Sequence, residues 1–368
     1  MVRKVLEILG SEIKGLHQAA YLLGAFALFS QMLGLIRDRL LAHSFGASLG
    51  LDIYYAAFRI PDFIFVAVAS VVSVFVVVPF LVDKIDRSKE EGINFINNIF
   101  SFFFGLIVIV SISAFFLVPF LSRLLFPGFS GENLNTLINI TRVLLLSPIL
   151  LGLSNLFSSI TQVYKKFFVY SISPLLYNLG IILGILFFYP SFGLLGLGFG
   201  VILGALLHLL IQLPVIIQTG FFPSFRLSMD LKEVFDVVKV SLPRTITLSL
   251  SSLTILVLVS FASSLGEGSI SIFSFSFNLQ SVPLSIIGVS YSVAAFPTLA
   301  RFFSLGDKKE FASHMVVATR HIIFWSIPAI FMFIVLRAQI VRVVLGSGQF
   351  GWEDTRLTAA TLALFVVS

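Results

Sequence analysis

Residues 30–62 read SQMLGLIRDRLLAHSFGASLGLDIYYAAFRIPD and carry Arg37, Asp38, Arg39, Asp52, Arg59 and Asp62. Charge beside long apolar runs is costly unless it faces water, a partner or a substrate. Ser30, Gly34, Arg37, Leu41 and Ser44 recur at i, i+4 and i+7, with Gln31 and Asp38 alongside. A helix with this spacing has a small-and-polar stripe that includes Arg37. If the stripe lines a cavity, Arg37 suits a phosphate, because its planar fork donates paired hydrogen bonds and stays charged. A second reading ends the apolar run at Ile36 and makes Arg37, Asp38 and Arg39 the outer water boundary. Arg39, on the more apolar side, is expected to snorkel.

Asp52, Tyr55, Arg59 and Asp62 pose the same choice, since they fall near one helical face. Residues 63–82 (FIFVAVASVVSVFVVVPFLV) are long enough to cross a bilayer alone, which would leave 37–62 as an exposed outer hairpin. In the alternative, both helices extend past the lipid and wall a wet vestibule. Arg59 and Asp62 are spaced to pair at i+3. Asp52 offsets the positive end of its helix, and Pro61 frees a backbone carbonyl and permits a kink.

Other polar groups stand singly in apolar segments. Arg244 follows Pro243 in the Ser/Thr-rich KVSLPRTITLSLSS, where small-residue helix packing is the simpler account. Asn278 and Gln280 open a later segment. Arg142, Asn155, Gln162 and Asn178 are candidates for interhelical hydrogen bonds, and His208 reads as a packed histidine. No GxSxG, HExxH, P-loop or carboxylate pair supports an enzyme. No cofactor is expected, so any transport is driven by a coupling cation, by membrane potential or downhill by substrate.

These groups need elements to hold them. The chain is 58% hydrophobic and 11% charged over 368 residues, against about 25% charged in soluble domains. Apolar runs of bilayer length recur throughout, so the fold class is an all-α polytopic membrane protein. Ten segments are expected, near 18–44, 52–82, 95–125, 136–162, 168–189, 193–218, 234–264, 270–302, 311–345 and 354–368. The last is too short to cross, which suggests a fragment of a longer chain. Residues 1–17 read as an amphipathic surface segment rather than a signal peptide. Without cysteine there is no disulfide framework or thiolate site. The net charge of +6 reflects basic inner loops and implies no nucleic acid.

With the N-terminus inside, the inner loops hold Lys84, Arg87, Lys89, Lys165, Lys166, Arg226, Lys232 and other basic residues, while the outer connections before residue 337 hold only Arg123. Arg337, Arg342 and Arg356 break this pattern, so either 337–356 folds against the membrane or the boundary of the ninth segment is misplaced. The polar stretch 219–233 divides six helices (18–218) from a partial second lobe (234–368) of three helices and the start of a fourth. VPFL at 78–81 echoes FPTLA at 296–300, which suggests a parallel repeat with an offset of 218 residues.

The stretch FSQMLGLIRDRLLAHSFGASLGLDIYYAAFRIPDF, with the VP that closes the second helix, resembles the signature of the MurJ (MviN) family. YKKFFVYSISPLLYNLGII, SVPLSIIGVSYSVAAFPTLAR and GSGQFGWEDT are similar to later parts of that family. The resemblance implies a MOP-superfamily flippase with two helical lobes around a central cationic cavity. Such a flippase moves lipid II, an undecaprenyl-diphosphate-linked peptidoglycan precursor, to the outer leaflet of the bacterial cytoplasmic membrane. It implies that Arg37 and Asp52 match the family's first-helix arginine and second-helix aspartate, and that Arg59 matches a basic position before the proline. Gln31, Phe65 and Asn278 stand where the family carries further cavity arginines, for which Arg59 and Arg244 could compensate. The expected substrate-binding set is Arg37, Asp52, Arg59, Arg244, Asp38, Ser30, Gln31 and Asn278. Expected partners are the lipid-linked diphosphate glycan, membrane lipids and cell-wall synthesis enzymes. Two alternatives are an exporter of another polyprenyl-diphosphate glycan or amphiphile, and a non-transporting scaffold for cell-wall enzymes.

Overall fold

The computed structural model describes residues 16–367, apart from nine positions between 290 and 304. Residues 1–15 of the amphipathic segment expected at 1–17, and much of the FPTLA echo, fall outside the described residues. The described chain is helical throughout, with no strand. Helix α1 is Leu16–Phe45. After it, eight helical spans among the described residues are long and apolar enough to cross a membrane. They are α2 (Leu49–Arg87), α3 (Lys89–Leu125), α4 (Gly131–Val163), α5 (Phe167–Phe192), α6 (Leu194–Thr219), α7 (Leu231–Ser263), α8 (Ser269–Gly288) and α9 (Lys308–Val335). Short α10 (Arg337–Leu345) and α11 (Trp352–Val367) follow. The ninth expected segment therefore ends at Val335, and Arg337 and Arg342 lie on a separate short helix.

Contacts divide the chain into two units. One takes in residues up to Leu40 and Asp52–Glu267, and the other Leu41–Leu51 and Gly268–Ser368. In the first unit, Val77, Leu81, Phe95, Ile99, Phe157 and Ile160 are almost fully buried among α2, α3 and α4. Much of the remaining apolar surface faces outward, as it must when lipid rather than water is the solvent.

Two details of this unit position the site. The first is the seam between α5 and α6, where Gly180 and Gly184 face Gly204 and Gly200. A Cβ on Gly204 would stand 2.4 Å from the carbonyl oxygen of Tyr177, so only glycine lets the backbones meet this closely. The second is a break in α2. The run 63–82 is not one continuous crossing. Phe65–Ala69 is a π-helical turn, and Ser73 is extended at φ −64°, ψ 151°. Stiff β-branched Val66, Val68, Val71 and Val72 crowd the turn, and Ser70 Oγ donates to Thr245 Oγ1 of α7 at 3.1 Å. A small apolar cavity flanks the break, lined among others by Val68, Ala69, Val72 and Gly152. The repeat offset of 218 carries Phe65–Ala69 onto 283–287, which overlaps a second π-helical turn at Leu284–Val289 in α8.

The stretch 219–233 is strapped to the polar stripe of α3. The Asn97 amide oxygen accepts from the Ser224 N–H at 2.7 Å, Ser101 Oγ from the Arg226 N–H at 2.8 Å, and Asn94 from the Arg226 guanidinium at 2.8 Å. Glu233 then accepts from Asn98 at 2.9 Å and pairs with Lys84. By its contacts, α7 packs on α2 and α3.

In the second unit, residues 41–51 form a seat for the turn between α10 and α11. The Gln349 N–H donates to the His43 carbonyl at 2.9 Å. Gly46 has φ +62°, and a Cβ there would lie 2.7 Å from the Gln349 carbonyl. The FGA and GSGQFG motifs thus face each other. Asp354 accepts from the Gly351 N–H at 2.9 Å, closing the first turn of α11, and from the Ala47 N–H at 3.4 Å. Asp354→Ala is expected to cost about 1–2 kcal/mol, read as a lower melting temperature in detergent. An unchanged melting temperature would show that the cap carries no load.

Candidate functional site

The site begins on α1, where helical spacing puts Ser30, Gly34 and Arg37 on one face. Helix α5 lies opposite. Arg37 Nε and Nη2 contact Asp38 Oδ1 at 3.0 and 2.9 Å, and Nη1 donates to Asn178 Oδ1 at 3.0 Å. Asn178 Nδ2 donates in turn to Ser30 Oγ at 3.3 Å and to the Pro174 carbonyl at 3.2 Å. The Arg37 side chain is 22% exposed and that of Asp38 only 4%. A guanidinium has five N–H groups. With three committed, one remains on each terminal nitrogen.

Helix α2 supplies a second row. Tyr54 and Tyr55 are buried within electrostatic reach of Arg37, and half-buried Tyr177 of α5 is also within reach. The Tyr54 ring meets Phe58 edge-on at 4.9 Å. The helix stops at Ala57 and resumes at Arg59. Pro61, four residues after Ala57, has no N–H to donate to the Ala57 carbonyl. Arg59 and Asp62 lie within electrostatic reach of each other. Asp52 is 2% exposed. Residues 51–57, Ile60 and Pro61 are all buried, which excludes the exposed outer hairpin. Arg39 is exposed, as snorkelling requires.

The structure brings Ser30, Arg37 and Asp38 into one network, with Arg59 on the next helix. Gln31 is half-buried on α1 beside it. Arg244 sits elsewhere, exposed on α7 with its guanidinium 4.3 Å from the Phe75 ring centroid. Asn278 belongs to α8 in the second unit. Asn178, a candidate for an interhelical hydrogen bond by sequence, makes two of them to α1, with Arg37 and Ser30. His208 is satisfied as expected, with Nδ1 2.6 Å from Ser154 Oγ.

Arg37 and Arg59 stand against Asp38 and Asp62, so their formal charges cancel. Any anion bound here is held by directed N–H donors more than by net positive charge.

A family profile described as lipid II flippase MurJ matches residues 41–368. The chain belongs to the MurJ family. A probable lipid II flippase MurJ from Borreliella burgdorferi is 28% identical over 342 residues, covering 92% of this chain and 67% of that one. The corresponding protein of Thermotoga maritima is 27% identical, covering 95% and 69%. A solved lipid II flippase MurJ in an inward closed conformation superposes with TM-score 0.79 at 25% identity, over 94% of this chain and 72% of that chain. An inward-facing multidrug resistance MATE transporter of the MOP superfamily gives 0.71 at 17% identity, over 92% and 78%, and shows the shared fold. The expected fold class holds, and the MurJ-family chain is a multi-pass protein of the inner membrane. It spans about two thirds of the length of the curated MurJ relatives it matches.

Proposed function

We propose that this MurJ-family chain moves lipid II from the cytoplasmic to the outer leaflet by alternating access, with Arg37 as the ligand of the diphosphate. The observation that carries this is the guanidinium of Arg37, held on both flanks by Asp38 and Asn178 with one N–H left on each terminal nitrogen. A phosphate oxygen pair matches that fork. Arg59 adds a donor one helix away, and Asp38 and Asp52 orient the arginines or exchange partners as the protein moves. The bodies that rock are the lobes 18–218 and 234–368, joined by the strapped stretch 219–233. The contacts of α7 with α2 and α3 are those that change. The excess of Lys and Arg in the expected inner loops supports an N-terminus in the cytoplasm. The chemistry is transport without bond breaking, driven by a coupling ion or the membrane potential. The substrate passes between cell-wall enzymes that make it inside and use it outside.

A second reading, export of another polyprenyl-diphosphate glycan, draws support from Phe65 and Asn278 at positions where arginines were expected. Reconstituting the full chain in vesicles separates the readings. Lipid II should move between leaflets, and the same lipid without its diphosphate should not. Equal movement of both would overturn the role of the diphosphate, and movement of neither would favour a scaffold.

A further inference from the structure

We infer that Asn178 is a positioning residue for diphosphate recognition. It fixes the plane of the Arg37 guanidinium so that the uncommitted N–H on each terminal nitrogen faces the anion as a fork. The inference rests on the reading that Arg37 binds the diphosphate.

The orientation of the amide follows from its surroundings. The Pro174 carbonyl can only accept, so the Asn178 nitrogen turns towards it at 3.2 Å. Ser30 Oγ lies 3.3 Å from the same nitrogen. The amide oxygen is thereby aimed at Arg37 Nη1, 3.0 Å away. On the other flank Asp38 takes Nε and Nη2. A guanidinium gripped at both flanks cannot turn about its long axis, so its outer edge is presented in one direction before a ligand arrives. Preorganisation of this kind raises affinity by removing an ordering cost. Two glycines support the geometry. At Gly34, a Cβ would already stand 4.0 Å from the Asn178 oxygen, so a larger side chain would crowd it. At Gly204, the backbone of Tyr177, the residue before Asn178, is met at close range. Asp38 alone cannot do this work. It follows Arg37 on α1, whereas Asn178 ties the fork to a second helix.

The test uses the full chain in vesicles, with lipid II as the probe, and compares Asn178→Ala, Arg37→Ala and the double variant for Kd, KM and kcat. Asn178→Ala is expected to raise Kd and KM about tenfold with kcat little changed, the effect of one hydrogen bond to a charged group. The double variant should bind no worse than Arg37→Ala alone, because Asn178 acts only through that guanidinium. If Asn178→Ala binds lipid II like the parent, or its loss adds in full to that of Arg37→Ala, Asn178 is a packing residue and the inference falls while Arg37 keeps its role. If Arg37→Ala itself binds normally, the diphosphate reading falls first and takes the inference with it. Should Asn178→Ala fail to fold, Ser30→Ala removes only the far anchor of the amide. It should then raise Kd about threefold, and a parental Kd overturns the inference.

Discussion

Arg37→Ala is expected to reduce lipid II transport by about 100-fold or more, because it removes the paired, charge-assisted donors that match a diphosphate. Two losses coincide in this variant and must be separated. Asp38, 4% exposed at its side chain, would lose its contact with Arg37, and removing one member of a buried charge pair lowers stability in its own right. Arg37→Lys keeps the charge beside Asp38 but lacks the planar fork. It should therefore melt near the parent temperature and still transport about tenfold more slowly. Asp38→Asn works in the opposite sense. It keeps an amide oxygen that can accept from the guanidinium flank but removes the competing negative charge, so lipid II is expected to bind more tightly and leave more slowly. Arg244→Ala should change transport little, since Arg244 lies exposed on Phe75 away from this network. The readout is the appearance of lipid II in the outer leaflet of vesicles holding each variant. Full transport by Arg37→Ala would remove the diphosphate site from this part of the molecule.

Gly204→Val is expected to be the most damaging single change in the membrane core. Helix propensity alone favours valine over glycine by only about 0.3–0.5 kcal/mol. Sterics decide the sign, because the new Cβ would lie 2.4 Å from a backbone oxygen of α5, and backbone cannot yield as a side-chain tip can. Forced overpacking of this kind costs about 1–3 kcal/mol or more, and α5 must move away from α6 to relieve it. That movement carries Tyr177 and Asn178 with it, so Gly204→Val should lower both the melting temperature and the lipid II affinity. Gly105 of α3, where an added Cβ meets nothing within 4 Å, is the control position within a membrane-spanning helix. A Gly204→Val protein with parental melting and affinity would show that the α5–α6 seam does not position the site.

Hydropathy gives the number and order of the spans, because a bilayer demands about 20 apolar residues per crossing, but not all their ends: the ninth expected segment, 311–345, joins two helices that part after Val335. The polar stripe of α1 was equally visible, since Arg37 and Ser30 repeat with the helix. Partners across helices were not. Nothing in the spacing of Arg37 shows that Asn178, 141 residues later, takes its third bond. The two readings of residues 37–62 could not be separated by pattern either, because burial of Asp52 and Tyr54 depends on what packs against them. The break at 70–73 carries no proline or glycine, and its causes lie in crowded valines and a hydroxyl on another helix. The pairing of FGA with GSGQFG joins residues about 300 apart, and neither motif alone announces the other.

The broken α2 also bears on how the chain is made. Insertion machinery reads apolar length, so 63–82 enters the bilayer as one unbroken crossing. Thr245, which receives the Ser70 hydroxyl, lies 175 residues further on. At about 5–20 residues per second, it emerges roughly 10–35 s after Ser70. For that interval the second crossing exists without the partner that helps to hold its break. Its final shape is a late event of biosynthesis, completed only when the seventh span arrives beside it.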